Sequence, residues 1–337
     1  MPDSLVTTQQ GLHTATREWG QTTSSKLFQL FHLADNSRAT EGWLPACSLP
    51  FVSNTETDTQ TVATRLQQPT IQIRVGYEVI FEFPQPTPVV LMLNVHPTRA
   101  HDLIVPDALN FDPLVPISQY LDSFGNICTR FVAPAGRMTI STVGIVRDSG
   151  QADEIVPWAR QHPVPELPDD TLRFLLGSRY CETDRLSQIA WDLFGKCPQG
   201  WPLVQSIVDF VHDHIQFGYE YARPTKTAWE VFNERAGVCR DFAHLAVAFC
   251  RCMNIPARYC TGYLGDIGIP PVDAPMDFAG WFEAYLGGRW FSFDPRNHVP
   301  RIGRIVIARG RDAADVAISN TFGPGLLCGF QVQTDQI

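Results

Sequence analysis

The chain has 337 residues, 44% of them hydrophobic and 18% charged, a composition that allows a sizeable core and excludes a wholly disordered chain. Its formal net charge is −9 with no dense Lys/Arg cluster, which argues against nucleic acid or an anionic membrane as partner, because both need a positive surface. No apolar run reaches the ~18 residues of a membrane helix. The start, MPDSLVTTQQGLHTATREWG, has no charged region followed by an apolar one, so a cytoplasmic location is expected. The nine cysteines form no paired C-x-x-C and no regular framework, which reads as reduced thiols. Cys250 and Cys252 make a C-x-C inside an apolar helical stretch without a second ligand pair, so no metal is expected.

Residues 1–69 are rich in Thr, Gln and Ser and carry one short apolar patch, KLFQLFHLA at 26–34, with no sustained period. They read as a low-order N-terminal tail. At Ile71 the pattern changes: Ile71, Ile73, Val75, Tyr77, Val79, Phe81 and Phe83 alternate with mostly polar residues, the period of a half-buried strand. Further strands are predicted at Val89–Val95, Ile127–Val132 and Arg137–Arg147, with turns such as DSFGN between them. Residues 70–155 are therefore expected to be an N-terminal β-domain.

Past QHPVPELPDD the period becomes helical. Val204, Ile207, Val208, Val211 and Ile215 share one helix face, and CRDFAHLAVAFCRCM predicts a second helix ended by Pro256. Strands ARYCTGYL, AGWFEAYL and RWFSF follow. Helices followed by an antiparallel sheet define an α+β domain, expected over 165–310, with 311–337 as a C-terminal segment.

Gly237, just before an apolar-periodic helix, places Cys239 in its first turn. There, free backbone N–H groups and the helix dipole favour the thiolate and can hold an oxyanion. A cysteine opening a buried helix is also an ordinary core residue. Downstream, Gly287-Gly288 reads as a two-residue hairpin turn. If Leu286 faces Arg289, then Trp281 faces Asp294, and position 279 is the diagonal neighbour of Asp294 on the same face. A His at 279 would be oriented by Asp294 and take the thiol proton of Cys239. Position 279 is Ala.

The stretches TAWEVFNERAGVCRDFAHLAVAFCRCMNIPARYCTGY, DFAGWFEAYLGGRWFSFDPRN and GRDAADVA resemble the transglutaminase-like superfamily, whose fold is shared with papain-type cysteine proteases. The likeness is to bacterial members with an N-terminal β-region, and it covers about residues 70–337. It rests on the order GVC, then H-x-W-x-E on a strand, then W-x-x-x-D. The resemblance implies a papain-like core in which the Cys helix packs on an antiparallel sheet. It also implies Cys239 as nucleophile, Asp294 as the His-orienting acid, Trp229 and Trp281 near the acyl site, no cofactor, and a peptide or protein substrate. The family's H-x-W is Ala279-Gly280-Trp281 in this chain.

Other imidazoles are then candidates for the missing base. His244 is five residues after Cys239, roughly 140° round the helix, and is expected to point away as a solvated or helix-packing residue. His212 and His214 sit near a helix end, and His96 and His101 in a loop. His298 is the candidate to replace it, although Pro295 argues that the strand ends first. Two functions stay open: thiol-dependent acyl transfer or hydrolysis on an amide, and a catalytically degenerate module that binds peptide or protein.

Overall fold

The computed structural model describes residues 70–272 and 276–337; the expected tail at 1–69 lies outside the described residues. Strand β1 (Ile71–Phe83) buries Ile73, Val75, Tyr77, Val79, Phe81 and Phe83 and turns Gln72, Arg74, Glu78 and Glu82 outward, as its period of two requires. The chain continues through β2 (Thr87–Leu91), β3 (Leu103–Val105), β4 (Asn110–Asp112), β5 (Ser118–Leu121), β6 (Ile127–Ala133) and β7 (Gly136–Asp148). Helices α1 (Asp169–Leu172), α2 (Thr183–Phe194) and α3 (Trp201–His214) follow, then β8 (Gln216–Phe217), α4 (Ala228–Glu234), β9 (Ala236–Gly237) and α5 (Cys239–Cys252). The last elements are β10 (Ala257–Tyr263), β11 (Ala279–Leu286), β12 (Arg289–Phe293), β13 (Ile305–Gly310), β14 (Ser319–Thr321) and β15 (Leu326–Gln336).

Two antiparallel sheets form the β-domain. One has the order β15-β1-β7-β3, with β4 also on β7, and the other has the order β14-β2-β6-β5. The expected separate segment 311–337 is corrected here. β14 pairs with β2, and β15 pairs with β1 from Ile73↔Gln336 to Glu82↔Leu326, so the chain returns after the second domain to complete both sheets. The sequence signal of this segment is weak because β15 buries only Leu327, Val332 and Thr334 and keeps little alternation.

The second domain is α+β. A four-stranded antiparallel sheet of order β12-β11-β10-β13 carries α5 on one face. Residues 240–252 of α5 are all buried, enclosed by apolar side chains of α2, α3 and α4 on one side and by Phe282, Ala284 and Leu286 of β11 on the other. The hairpin has the expected register, Leu286↔Arg289 through Phe282↔Phe293. Gly287 and Gly288 have φ of 56° and 86°, which suits glycine at both turn positions. Tyr259, Tyr263, Ile305 and Ile307 extend one core from this sheet into Ile73, Val75 and Phe81 of the β-domain. No helix among the described residues is long and apolar enough to cross a membrane.

Candidate active site

Cys239 is the first residue of α5. Val238 before it is extended, and its N–H is held by the Asp241 carboxylate at 3.0 Å. Arg240 in turn donates to Asp241 at 2.9 Å, so the charges at the helix start satisfy each other. A side chain at 237 would meet Asp241 at 2.7 Å, and glycine there lets the chain enter the helix against that carboxylate. Among the described residues the N–H groups of Cys239 and Arg240 have no acceptor, which leaves two donors for a developing oxyanion.

The Cys239 thiol forms a common wall of two cavities. The inner one, of about 230 Å³, lies where the two domains meet and is lined by Phe81, Tyr180, Tyr259, Val316 and Ile318. The outer one, of about 210 Å³, is lined by Phe217, Tyr219, Ala279, Arg296, Asn297 and Arg301. Asp277 and Phe278 line both, as Cys239 does.

The expected thiolate is opposed by burial. Burial pushes the Cys239 thiol up to about 12 and Asp277 adds to this, against the Gly280 N–H and the Arg296 guanidinium, which favour the thiolate. Desolvation here acts against the stabilisation that a helix start gives a thiolate. Burial likewise pushes the Asp277 carboxyl up to about 7, although the Phe278 N–H donates to it at 2.7 Å. Asp277 thus has a carboxyl that changes state near neutral pH at the wall shared with the thiol. The signal that could have found it is its place two residues before position 279, on the same face of an extended approach to β11.

Asp294 follows Phe293, the last paired residue of β12. Burial alone would raise its carboxyl, but Arg304 and Asn297 hold it below the usual carboxylate range. Asn297, whose Nδ2 donates to Asp294 at 2.7 Å, also lines the outer cavity beside Ala279 and Cys239. Asp294 itself lines neither of the two Cys239 cavities.

The remaining sequence candidates are elsewhere. The strand ends before His298, which sits in a turn with φ of 57°, its Nε2 2.8 Å from Asp209 and its ring stacked on His212 at 4.2 Å. His298 lines a separate cleft with Asp294, Val208 and Pro300, and Cys239 does not reach it. That corrects its assignment as the base. Trp229 is on α4, where its N–H meets Glu182 at 3.1 Å and Arg185 lies 4.3 Å over its ring; it lines neither Cys239 cavity. Trp281 is also removed from the thiol, buried against Cys260 and Val306. Both tryptophans are packing residues rather than acyl-site walls. His244 is buried, not solvated: its Nε2 accepts the Ala313 N–H at 3.1 Å, and it stacks on Tyr180. Burial, with Arg240 and Arg251 nearby, keeps that imidazole neutral. Among the described residues no histidine lines either Cys239 cavity, and no group of three His, Cys, Asp or Glu is placed to hold a metal ion.

Comparison with known proteins agrees with this architecture. The family described as the transglutaminase-like superfamily matches residues 188–295. The uncharacterized protein Rv2569c of Mycobacterium tuberculosis is 32% identical over 219 residues, covering 58% of this chain and 68% of that protein. The uncharacterized protein ML0607 of Mycobacterium leprae is 37% identical over 95 residues, 26% of this chain, and the match spans only 32% of its length. A crystal structure of a putative cysteine protease from Cytophaga hutchinsonii superposes with a TM-score of 0.68 at 30% identity, covering 80% of this chain and 91% of that one. The chain belongs to the transglutaminase-like superfamily.

Proposed function

We propose that the protein is a cysteine-dependent acyl-transfer or hydrolytic enzyme acting on amide bonds of a peptide or protein, with Asp277 moving the protons that an imidazole moves elsewhere. The observation that carries this reading is the shared wall: Cys239 and Asp277 face the same two cavities, so a carbonyl seated at the thiol has room for substrate on both sides. In the reaction the Asp277 carboxylate takes the thiol proton as the sulfur–carbon bond forms. The carbonyl oxygen becomes an oxyanion held by the N–H groups of Cys239 and Arg240. Protonated Asp277 then gives its proton to the departing nitrogen as the carbon–nitrogen bond breaks, leaving a thioester. Water or an amine then attacks the thioester, losing its proton to Asp277, and Asp277 returns that proton to the Cys239 sulfur as the carbon–sulfur bond breaks. The thiol at about 12 and the acid at about 7 make the resting transfer uphill, so the proton moves only as the new bond forms and turnover is slow.

A second reading, a peptide-binding member without catalysis, is favoured by the absence of histidine from both cavities among the described residues.

The two functions separate in one experiment. Glutamine-containing peptides are incubated with and without a primary amine, and ammonia release and products are followed by mass spectrometry. Slow turnover is expected for the wild type, none for Cys239→Ala, and a drop of about 100-fold or more for Asp277→Asn. Turnover that survives Cys239→Ala overturns the thiol mechanism, and peptide binding without turnover supports the second reading.

A further inference from the structure

The two cavities at Cys239 differ in charge. In the inner one Arg240 is the cation, and it is already paired with Asp241 at 2.9 Å. In the outer one Arg296 makes no ion pair and no side-chain hydrogen bond with any described residue, and its Nε is buried without a partner. Its guanidinium carbon is held 3.9 Å over the Phe217 ring, a contact that fixes the group without neutralising it. Neighbouring arginines are unlike it: Arg304 pairs with Asp294 at 2.9 Å and Arg309 with Glu283 at 3.1 Å.

Arg301 lines the same cavity and is 6% exposed. Its Nη1 donates to Asn297 at 3.1 Å and its Nη2 to the Gly265 carbonyl at 2.8 Å, while its Nε has no partner. The described acids of the cavity are Asp266 and Asp277. Asp266 lies 3.6 Å from Arg301 and accepts the Val272 N–H at 2.8 Å, so it is committed. Asp277 accepts the Phe278 N–H at 2.7 Å and makes no ion pair with Arg296, and burial pushes its carboxyl up to about 7. What remains among the described residues is one guanidinium without an acid partner and two buried N–H donors without acceptors, between apolar walls from Leu264, Ile269 and Met276. Buried donors of this kind are normally satisfied, and a planar guanidinium matches a carboxylate through two parallel hydrogen bonds.

We infer that the outer cavity is a carboxylate subsite, in which Arg296, supported by Arg301, receives the free C-terminal carboxylate of a peptide whose scissile amide lies at Cys239. The inner cavity, whose one cation is already paired with Asp241, then takes the uncharged acyl half. The inference rests on Cys239 as the reacting atom. It assigns the substrate class as peptides cleaved or transferred close to a free carboxyl terminus, rather than internal peptide bonds.

The test separates recognition from chemistry. Full-length Cys239→Ala protein is titrated calorimetrically with a panel of N-acetyl dipeptides, each as the free acid and as the C-terminal amide. The acids are expected to bind at least about tenfold more tightly than the amides, the size of one charge-assisted contact. Arg296→Gln should abolish that preference. Arg296→Lys should retain part of it, and Arg289→Gln, a surface arginine that pairs with Glu154, should leave it unchanged. Equal binding of acid and amide, a preference that survives Arg296→Gln, or no binding by any acid overturns the subsite. Wild-type turnover of the same panel is then measured. Cys239-dependent turnover without acid preference sinks the subsite and leaves the catalytic reading standing. Arg296-dependent binding of acids without turnover does the reverse.

Discussion

Asn297 Nδ2 donates to Asp294 Oδ2 at 2.7 Å. Arg304 reaches the same oxygen at 2.9 Å, and the other oxygen takes the N–H groups of Arg296 and Asn297 at 3.1 and 2.9 Å. A carboxylate offers about four lone-pair sites, and all are occupied. The acid that would orient an imidazole at position 279 therefore has nothing left to offer one.

This saturation changes what restoring the histidine should do. Ala279→His alone should raise the alkylation rate of Cys239 by iodoacetamide, read site by site by mass spectrometry, by less than about tenfold, because the new ring is unoriented. Ala279→His with Asn297→Ala removes one donor from Asp294 and should gain about 100-fold over wild type, within the usual range for a positioned base. A single variant as fast as the double would show that Asp294 saturation is irrelevant.

The raised Asp277 carboxyl makes stability depend on pH in a defined direction. Its folded value of about 7 exceeds the ordinary value of an unfolded aspartate, about 3.9, so the folded state binds the proton more tightly. The associated stability is full below about pH 4 and is lost as pH rises through about 7. Asp277→Asn should remove this slope and make the protein more stable than wild type at pH 8, by about 1–3 kcal/mol in urea denaturation. Parallel wild-type and variant profiles between pH 4 and 8 would refute the assignment. In activity assays the same carboxyl should give a rate that rises through about pH 7, since the ionised form is the base.

Much of this was legible in the sequence because it is written in local periods. The β1 alternation, the α5 apolar face, and the Gly287-Gly288 turn that fixes Leu286 opposite Arg289 are patterns within a dozen residues. The thiol at a helix start could likewise be read from Gly237 and Cys239. Its protonation could not, because desolvation comes from residues distant in the chain, including Phe278 and Tyr259. The same limit hid Arg296: an arginine without an acid is recognisable only after every other pairing in its surroundings is known. His298 is not legible from strand register, because the strand does not continue past Pro295 and His298 itself is left-handed, with its ring on Asp209. Trp229 and Trp281 misled because a motif fixes their place in the chain but not what covers them.

His298→Ala tests that correction from the other side. The imidazole is partly exposed and is held between Asp209 and His212, outside both cavities of the thiol. Its loss should leave Cys239 alkylation and any Cys239-dependent turnover within about twofold, and should cost no more than about 1 kcal/mol of stability, as exposed pairs do. A large fall in Cys239 reactivity with unchanged stability would return His298 to the reaction.

The closing strand offers the clearest test of the domain boundary. If residues 311–337 were an independent terminal segment, ending the chain at Pro324 would leave the remainder intact. The register from Ile73↔Gln336 to Glu82↔Leu326 says otherwise, because it makes β1 an interior strand that would become a bare edge. Leu327 and Val332 are buried in the shared core, and each fully buried aliphatic side chain is worth about 1.5–3 kcal/mol. Adding the lost ladder, the deletion should remove more than about 5 kcal/mol, comparable with the whole stability of a typical domain. The truncated protein is expected to be insoluble or to melt far below the full chain. Val332→Ala, which keeps the strand, should cost about 1–3 kcal/mol in the same denaturation experiment. It should also leave Cys239 alkylation unchanged, because Val332 lines neither cavity. A truncated chain that melts with the full-length protein would place β15 outside the folded unit.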